Sequence, residues 1–230
     1  KNDNDVLPDG AYHWSRSRYW KKLDAIGREI IGCGENADGW ILPDLVALVE
    51  VENDTVLTDL TRRSLLRSAR YEYVMTDSND ERGVDVALLY SPFSFSPITS
   101  SSIRIDPPRG LRPTRDILYV RGRIVSGDTI HIYVVHAPSR YGGEHYSRPF
   151  RMAVAERLCQ SLDSLNSVSP GAKVLIAGDF NDSADSPALK MVYSHGVINL
   201  SRNAKGQNGV QGTYRYKGDW ERIVFLFRNH

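Results

Sequence analysis

The sequence contains several short runs of apolar residues, each the length of a β-strand. Some runs alternate apolar and polar residues, whereas others are apolar throughout, as in strands that are buried on both faces. They are Leu45–Val51, Val84–Tyr90, Ile117–Val125, Thr129–Val135 and Lys173–Ala177. The sequence therefore predicts a substantial and largely buried β-sheet component.

Two longer stretches instead carry apolar residues at three- and four-residue steps, which is the period of an amphipathic helix. The first runs over Arg18–Ile31 and is followed by Gly32 and Gly34, and the second runs over Arg148–Val168 and ends before Pro170. A helix with one apolar face must bury that face against another element. Together with the strands, these helices predict a layered α/β domain.

Composition bounds the class of protein. The chain has 230 residues, of which 41% are hydrophobic, enough for one domain with a large core. Lysine plus arginine (29) nearly cancels aspartate plus glutamate (28), so any anionic substrate must be held by local charges. No run of about 18 apolar residues occurs, so no membrane span is predicted.

We expect a monomer. Nothing in the sequence fixes the localisation, and an exported bacterial protein, periplasmic or extracellular, is favoured.

The cysteines are Cys33 and Cys159, too few for a disulfide scaffold and without the paired spacing of a zinc site. Two buried free thiols are favoured over a disulfide between them.

A turn signal separates two of the predicted strands. Ser126-Gly127-Asp128 lies between alternating runs, which predicts that Ile117–Val125 and Thr129–His136 form an antiparallel hairpin. If the turn comprises these three residues, His136 lies opposite Leu118.

Three apolar runs end on polar side chains that can carry chemistry: Glu50, His136, and Asp179 with Asn181. Each ending alone is typical of a turn former or a structurally satisfied histidine. Together they suggest a site, because burying ionisable groups without partners costs several kcal/mol. Carboxylates are hard ligands suited to Mg²⁺, and the histidine supplies a donor for a phosphoryl oxygen.

Arginines are concentrated in the segment that leads into the hairpin, namely Arg104, Arg109, Arg112 and Arg115. Solvated loop charge is the simplest interpretation for most of them. The hairpin register favours Arg115 as a phosphate ligand, because it precedes the strand whose neighbour ends at His136. Arg140 is the second candidate, and Tyr141 could line a substrate groove.

The polar strand ends lie in segments that resemble the endonuclease/exonuclease/phosphatase family in order and rough spacing. These segments are Pro43–Val51, His136-Ala137-Pro138 and Gly178-Asp179-Phe180-Asn181, of which the last is the strongest signature. Five more resemble a branch found in Bacteroides-like gut bacteria: Leu7–Gly10, Arg18–Leu23, Glu81–Tyr90, Arg112–Asp116 and Thr213–Gly218. The resemblance covers nearly the whole chain. It implies a four-layered α/β sandwich, with two mixed β-sheets packed face to face, helices outside and the strand ends at one rim.

The resemblance also implies a role for each site residue. Glu50 is expected to hold a divalent cation, Mg²⁺ or Mn²⁺, and Asp179 to activate or position the attacking water with Asn181 orienting it. His136 is expected to stabilise charge on the phosphorane, with Asp85 as the carboxylate that orients its ring. The expected reaction is in-line attack of water on a phosphate ester, in which positioning and charge neutralisation lower the barrier.

The chain also departs from the family pattern. Family members begin with a strand that carries an asparagine near the metal and end with a Ser-Asp-His segment, and neither is visible here. Asn2 and Asn4 lie in a polar stretch, and Val224 stands where the family places an aspartate. We therefore expect one domain over residues 1–230 that lacks the first strand and the C-terminal Ser-Asp-His segment.

The expected function is metal-dependent hydrolysis of phosphodiesters, as in a nuclease, or of phosphomonoesters. A nuclease is favoured over a small-molecule or lipid phosphatase. The expected substrate is a phosphate ester, with nucleic acid among the candidates. The alternative from a different class is a non-catalytic member that keeps the sandwich as a binding module.

Overall fold

A computed structural model describes residues 7–36, 39–80, 82–106, 113–204, 206 and 210–229. Several residues named from the sequence lie outside this part of the chain: Asn2, Asn4, Glu81, Arg109 and Arg112.

All of the predicted strands and helices form, with ends that differ by a few residues from the predicted ones. The strands are, in chain order, β1 Glu35–Asn36, β2 Gly39–Trp40, β3 Leu45–Val51, β4 Glu72–Met75, β5 Asp85–Tyr90, β6 Phe95–Ile103, β7 Ile117–Ile124, β8 Thr129–His136, β9 Lys173–Asp179, β10 Val197–Asn199, β11 Tyr214–Tyr216, β12 Asp219–Glu221 and β13 Val224–Asn229. The α-helices are α1 Arg16–Gly32, α2 Asp54–Thr58, α3 Glu144–Val168 and α4 Pro187–Ser194. A π-helical turn over Asp59–Arg63 follows α2, and short 3₁₀ helices cover Leu65–Ala69 and Leu200–Asn203. None of the helices in the described residues is long and apolar enough to cross a membrane.

Two sheets form the centre of the fold. Among the described residues, the larger has six strands in the order β10-β13-β9-β8-β7-β6, and the smaller has three in the order β3-β5-β4. β8 and β9 run parallel, whereas the other pairs of the larger sheet are antiparallel. The predicted α/β sandwich is confirmed, with one correction. Only the larger sheet is mixed, because the described strands of the smaller sheet pair antiparallel throughout.

Three clusters of buried side chains separate four layers. The middle cluster lies between the two sheets and includes Leu88 from β5 and Val134 from β8. A second cluster packs α3 and α4 against the larger sheet, and a third packs α1 and the helical segment after β3 against the smaller sheet. The order of layers is therefore helix, three-stranded sheet, six-stranded sheet, helix.

The predicted hairpin of β7 and β8 is antiparallel, but its predicted register is wrong. Leu118 pairs with Val134, two residues before His136. The loop begins one residue earlier than predicted, at Val125, because Gly127 takes the left-handed conformation (φ +89°) that closes a three-residue hairpin loop. A one-residue shift of the loop changes the register by two residues, which leaves every side chain on its expected face.

Both cysteines are free thiols, as predicted, but only one of them is buried. Cys159 lies on the buried face of α3, where burial raises the pKa of its thiol to about 12. Cys33, directly after α1, is exposed, so the prediction of two buried thiols is wrong for this residue.

The parallel pair β8–β9 requires a glycine near its end. Gly178 pairs with Val135 and has a φ of +150°, and a Cβ at this position would lie 1.9 Å from the Val135 carbonyl oxygen. A side chain at position 178 would therefore push the two strands apart next to His136 and Asp179.

We predict that Gly178→Ala lowers the free energy of unfolding by at least about 2 kcal/mol, because it combines backbone strain with a clash against backbone atoms. Urea denaturation measures this change. Gly171→Ala is the matched control, since Gly171 also has a positive φ (+77°) but has open space at its Cβ. That variant should lose only about 1 kcal/mol. Equal losses in the two variants would show that the close approach at Gly178 is unimportant.

Candidate active site

The C-terminal ends of β3, β8 and β9 meet at a cavity of about 720 Å³. Six residues predicted from the sequence lie around it: Glu50, His136, Arg140, Tyr141, Asp179 and Asn181. The other described residues of the lining are Val49, Arg82, Ser139, Tyr214, Tyr216, Glu221 and Ile223. Both sheets therefore contribute polar side chains to one concave surface.

Glu50 is directed into this cavity by an irregularity in its strand. The pairing of β3 with β5 passes from Val49 directly to Val51, so Glu50 forms a β-bulge. Its φ is +57°, in the left-handed region that non-glycine residues seldom occupy. Bulges re-aim side chains, and strained backbone persists where the surrounding structure enforces it. The Glu50 carboxylate is half-exposed and accepts a hydrogen bond from the Arg82 guanidinium at 3.3 Å.

The Gly178-Asp179-Phe180-Asn181 segment forms a tight turn held by several hydrogen bonds. Asp179 Oδ1 accepts a hydrogen bond from the Asn181 backbone N–H at 2.8 Å, and Asn181 has a φ of +50°. Asn181 Nδ2 donates to the Ala137 carbonyl at 2.9 Å. Phe180 is buried, and its backbone N–H donates to the Ile223 carbonyl. The turn therefore fixes both polar side chains relative to the end of β8.

His136 lies directly beside Asp179 in the parallel register and is buried. Burial, together with the positive charges of Arg115 and Arg82, lowers the pKa of His136 to about 3. Its ring is therefore neutral at pH 7, and it can donate a hydrogen bond without carrying a full positive charge. Nδ1 of the ring is buried and has no hydrogen-bond partner among the described residues.

The carboxylates give the site its capacity for a cation. The pKa of Asp179 is raised, chiefly by burial and also by the charge of Glu50. The hydrogen bond from Asn181 and the charges of Arg115 and Arg140 oppose this shift only in part. The described residues contain no group of three or more His, Cys, Asp or Glu side chains that could hold a metal ion. Mg²⁺, however, is typically bound by one or two carboxylates, with water and substrate phosphate completing its shell. Glu50 and Asp179, two interacting carboxylates on one open cavity, fit that pattern.

Two predicted residues lie away from the main cavity. Asp85 is buried at the start of β5, where it accepts hydrogen bonds from the Thr76 hydroxyl (2.7 Å) and the Ser78 backbone N–H (3.0 Å). Asp85 and His136 both lie in the described part of the chain, and no hydrogen bond joins them. Arg115 is buried with its Nε 3.8 Å from Asp80 Oδ2, and it lines a smaller adjoining cavity of about 40 Å³. Its charge still reaches the site, since it lowers the pKa values of His136 and Asp179.

Arg140 points into the main cavity and forms an ion pair with Glu221, a residue that no sequence pattern predicts as part of a site. The hydrogen bond to Glu221 raises the pKa of Arg140. Glu221 lies in the short strand β12, and no local sequence pattern indicates a role for it. The sequence also gives no separate signal for Arg82, Tyr214 and Tyr216, although these residues lie in segments that carry the family resemblance.

A buried ion pair supports the turn from behind. Arg151 in α3 is almost fully buried, and its Nε donates to Asp182 Oδ2 at 2.9 Å. Its other nitrogens donate to Ser147 Oγ (2.9 Å) and Glu144 Oε2 (2.7 Å). Asp182 directly follows Asn181, so this network ties the site turn to α3.

Val224 lies directly opposite Asp179 in the antiparallel pairing of β13 with β9. The family resemblance seen in the sequence implies an aspartate at about this position. The side chain beside Asp179 is therefore apolar, and the described site has one carboxylate fewer than the pattern predicts.

Two sheets packed face to face between helices, with polar strand ends at one rim, define an α/β sandwich with a candidate hydrolytic site. A family model described as Endonuclease/Exonuclease/phosphatase family matches residues 1–227, and the chain belongs to this family. Members of this family are hydrolases that act on phosphoester bonds. No curated protein matches the sequence.

Solved structures share the fold at low sequence identity. The human nocturnin catalytic domain with bound sulfate is 19% identical, with a TM-score of 0.68 over 92% of this chain and 75% of that one. A family protein from Bacteroides thetaiotaomicron is 14% identical, with a TM-score of 0.70 over 92% and 75%. A mannosyl-6-phosphatase from the same organism is 14% identical, with a TM-score of 0.65 over 92% and 77%. The two Bacteroides structures are consistent with the narrower resemblance seen in the sequence.

We predict that Arg151→Met lowers the free energy of unfolding by about 3–5 kcal/mol, because it leaves the Asp182 carboxylate buried without its partner. Urea denaturation measures the loss, and the double variant Arg151→Met/Asp182→Asn should recover part of it. Arg148→Met is the control. Arg148 forms an exposed pair with Glu144, and such pairs contribute at most about 1 kcal/mol. Similar losses in the Arg151 and Arg148 variants would contradict a supporting role for the buried pair.

Proposed function

We propose that this protein is a metal-dependent phosphoesterase that cleaves phosphate esters by in-line attack of water. The observation that carries the proposal is the convergence of Glu50, His136, Asp179 and Asn181 on one cavity. These side chains come from both sheets and from distant parts of the chain, so their proximity depends on the whole sandwich. A solvated cavity with two carboxylates and an imidazole is suited to activating water against a phosphate.

The proposed cofactor is Mg²⁺, or Mn²⁺ in its place, held by Glu50 with Asp179 nearby. When bound, such an ion neutralises charge on the phosphate and orients it for attack. Among the described residues, the half-exposed Glu50 carboxylate forms an ion pair only with Arg82, and the distance of 3.3 Å is long. The carboxylate is therefore available to a cation.

Asp179 is proposed to position the water and accept its proton. One of its oxygens is occupied by the Asn181 backbone N–H, which leaves the other oxygen to bind water. Burial, the largest influence on its pKa, makes this carboxylate a stronger base than an exposed aspartate. The Asn181 side chain is held by Ala137 through Nδ2, so its oxygen can accept a hydrogen bond from the same water.

His136 is proposed to donate a hydrogen bond to a phosphoryl oxygen as negative charge builds up on it. Because its ring is neutral, positive charge must come from elsewhere, and Arg140 lines the same cavity. The phosphate would compete with Glu221 for the Arg140 guanidinium, a planar donor that matches two phosphate oxygens.

A non-catalytic binding module is the second candidate, and Val224 is the observation that favours it. An apolar residue beside Asp179 removes a carboxylate that the family pattern expects at this position. The candidates differ in turnover, so hydrolysis of simple phosphate esters, with Mg²⁺ or with EDTA, separates them. Mg²⁺-dependent release of phosphate supports the enzyme, and binding without turnover supports the module.

We predict that Asp179→Asn lowers the turnover rate at least ~100-fold and leaves substrate affinity nearly unchanged. The amide has almost the volume of the carboxylate but lacks its charge and proton acceptor, so the loss belongs to the chemical step. Steady-state kinetics with Mg²⁺ measures both parameters. Asp185→Asn, an exposed aspartate of the following loop that lies outside the cavity lining, is the control. Full activity of Asp179→Asn would show that another group positions and deprotonates the attacking water.

We predict that Glu50→Gln abolishes metal-dependent hydrolysis and keeps the fold, because it removes an anionic ligand while preserving shape. Mn²⁺ titration followed by electron paramagnetic resonance should show weakened binding, and circular dichroism should be unchanged. Glu52→Gln, an exposed glutamate two residues away and outside the cavity lining, should behave as wild type. Unchanged turnover of Glu50→Gln at saturating Mg²⁺ would exclude Glu50 as the principal ligand.

A further inference from the structure

Three tyrosines line the same cavity as the carboxylates and the histidine. Tyr141 follows Arg140 and is 87% exposed, whereas Tyr214 and Tyr216 are 42% and 51% exposed on β11. Large exposed aromatic side chains that share one cavity are a common feature of ligand sites. The proposed chemistry at the carboxylates uses none of these rings.

The hairpin of β11 and β12 determines which side chains face the cavity. Tyr214 and Tyr216 are two residues apart and therefore point to the same face of the strand, with their rings nearly parallel (15°) and their centroids 6.2 Å apart. Glu221, the register partner of Tyr214, lies on the same face and also lines the cavity. Arg215 points the other way, onto the Trp220 ring.

Hydrogen bonds to a threonine side chain fix this hairpin at its base. The Thr213 hydroxyl oxygen accepts hydrogen bonds from the backbone N–H groups of Ile223 (2.9 Å) and Val224 (3.1 Å). Val224 begins the strand that pairs with β9 beside Asp179. The two tyrosine rings therefore have a defined position relative to the proposed reaction centre.

Charge and size restrict what can lie on these rings. The cavity lining carries Glu50, Asp179 and Glu221 against Arg82 and Arg140, so it has no surplus of positive charge. Binding of a polynucleotide depends on many phosphate contacts with lysine and arginine. A volume of about 720 Å³ instead suits a single small molecule.

We propose that Tyr141, Tyr214 and Tyr216 bind the ring of a small, ring-bearing phosphate monoester whose phosphate faces Asp179. This inference rests on the proposed phosphoesterase function and names its substrate class. The ring presents a flat apolar face, which both a nucleobase and a pyranose offer, and the tyrosines stack on that face. An acyclic phosphate monoester reaches the same reaction centre without this contact.

Steady-state kinetics of the full chain with Mg²⁺ tests the proposal on AMP, glucose 6-phosphate and the acyclic glycerol 3-phosphate. In Tyr214→Leu/Tyr216→Leu, the KM for the preferred ring substrate should rise about tenfold, since each aromatic contact contributes a modest part of binding. Its kcat, and both constants for glycerol 3-phosphate, should stay within about twofold of wild type. AMP and glucose 6-phosphate show which ring the site prefers. Tyr12→Leu, a 63% exposed tyrosine outside the cavity lining, is the control.

Equal losses for ring-bearing and acyclic substrates would overturn the inference, as would a higher kcat/KM for a single-stranded oligonucleotide than for AMP and glucose 6-phosphate. Calorimetric titration of Asp179→Asn with the same ligands reads binding separately from turnover. The aromatic site is supported if Asp179→Asn binds a ring phosphate more tightly than glycerol 3-phosphate. This difference should disappear in the triple variant Asp179→Asn/Tyr214→Leu/Tyr216→Leu. If wild type hydrolyses none of the three esters or the oligonucleotide, the proposed function fails. If it hydrolyses them without any effect of the tyrosines, only this inference fails.

Discussion

The parallel pairing of β8 with β9 is the interaction on which the rest of the site depends. It sets His136 beside Asp179, and it holds the turn after β9 against the residues that follow β8. The strands can approach this closely only because position 178 has no side chain. Both strands lie in the middle of the larger sheet, between the inter-sheet core and the core under α3. A displacement of β8 relative to β9 would therefore disturb the packing of both cores.

Unfavourable local features are concentrated at this rim. Glu50 and Asn181 hold left-handed backbone conformations, and His136 has a buried ring nitrogen without a hydrogen-bond partner in the described structure. Each feature costs free energy, and each persists only because the surrounding structure fixes it. The buried pair of Arg151 with Asp182 is part of that support, because it anchors the site turn to a long helix.

The cavity is lined by Glu50, His136, Asp179 and Asn181, with Val224 beside Asp179. The site that results is nearly balanced in charge, because Arg82 pairs with Glu50 and Arg140 pairs with Glu221. Such a surface does not attract a polyanion over a distance, and selectivity must come from short-range contacts. The tyrosines of the hairpin and of the loop after β8 are the side chains placed to make those contacts.

The pattern of residues along the chain predicted the layered α/β class, the main strands and helices, and the strand-terminal residues that meet at the rim. It could do so because hydrophobic period and polar strand ends are local signals. The hairpin register depended on the conformation of Gly127, and the bulge at Glu50 depended on pairing with β5, so neither was readable from local pattern. Glu221 and Arg140 are 81 residues apart, and Arg151 and Asp182 are 31 apart. Only tertiary structure decides such contacts, because they form between segments whose separate sequences carry no information about their distance in space.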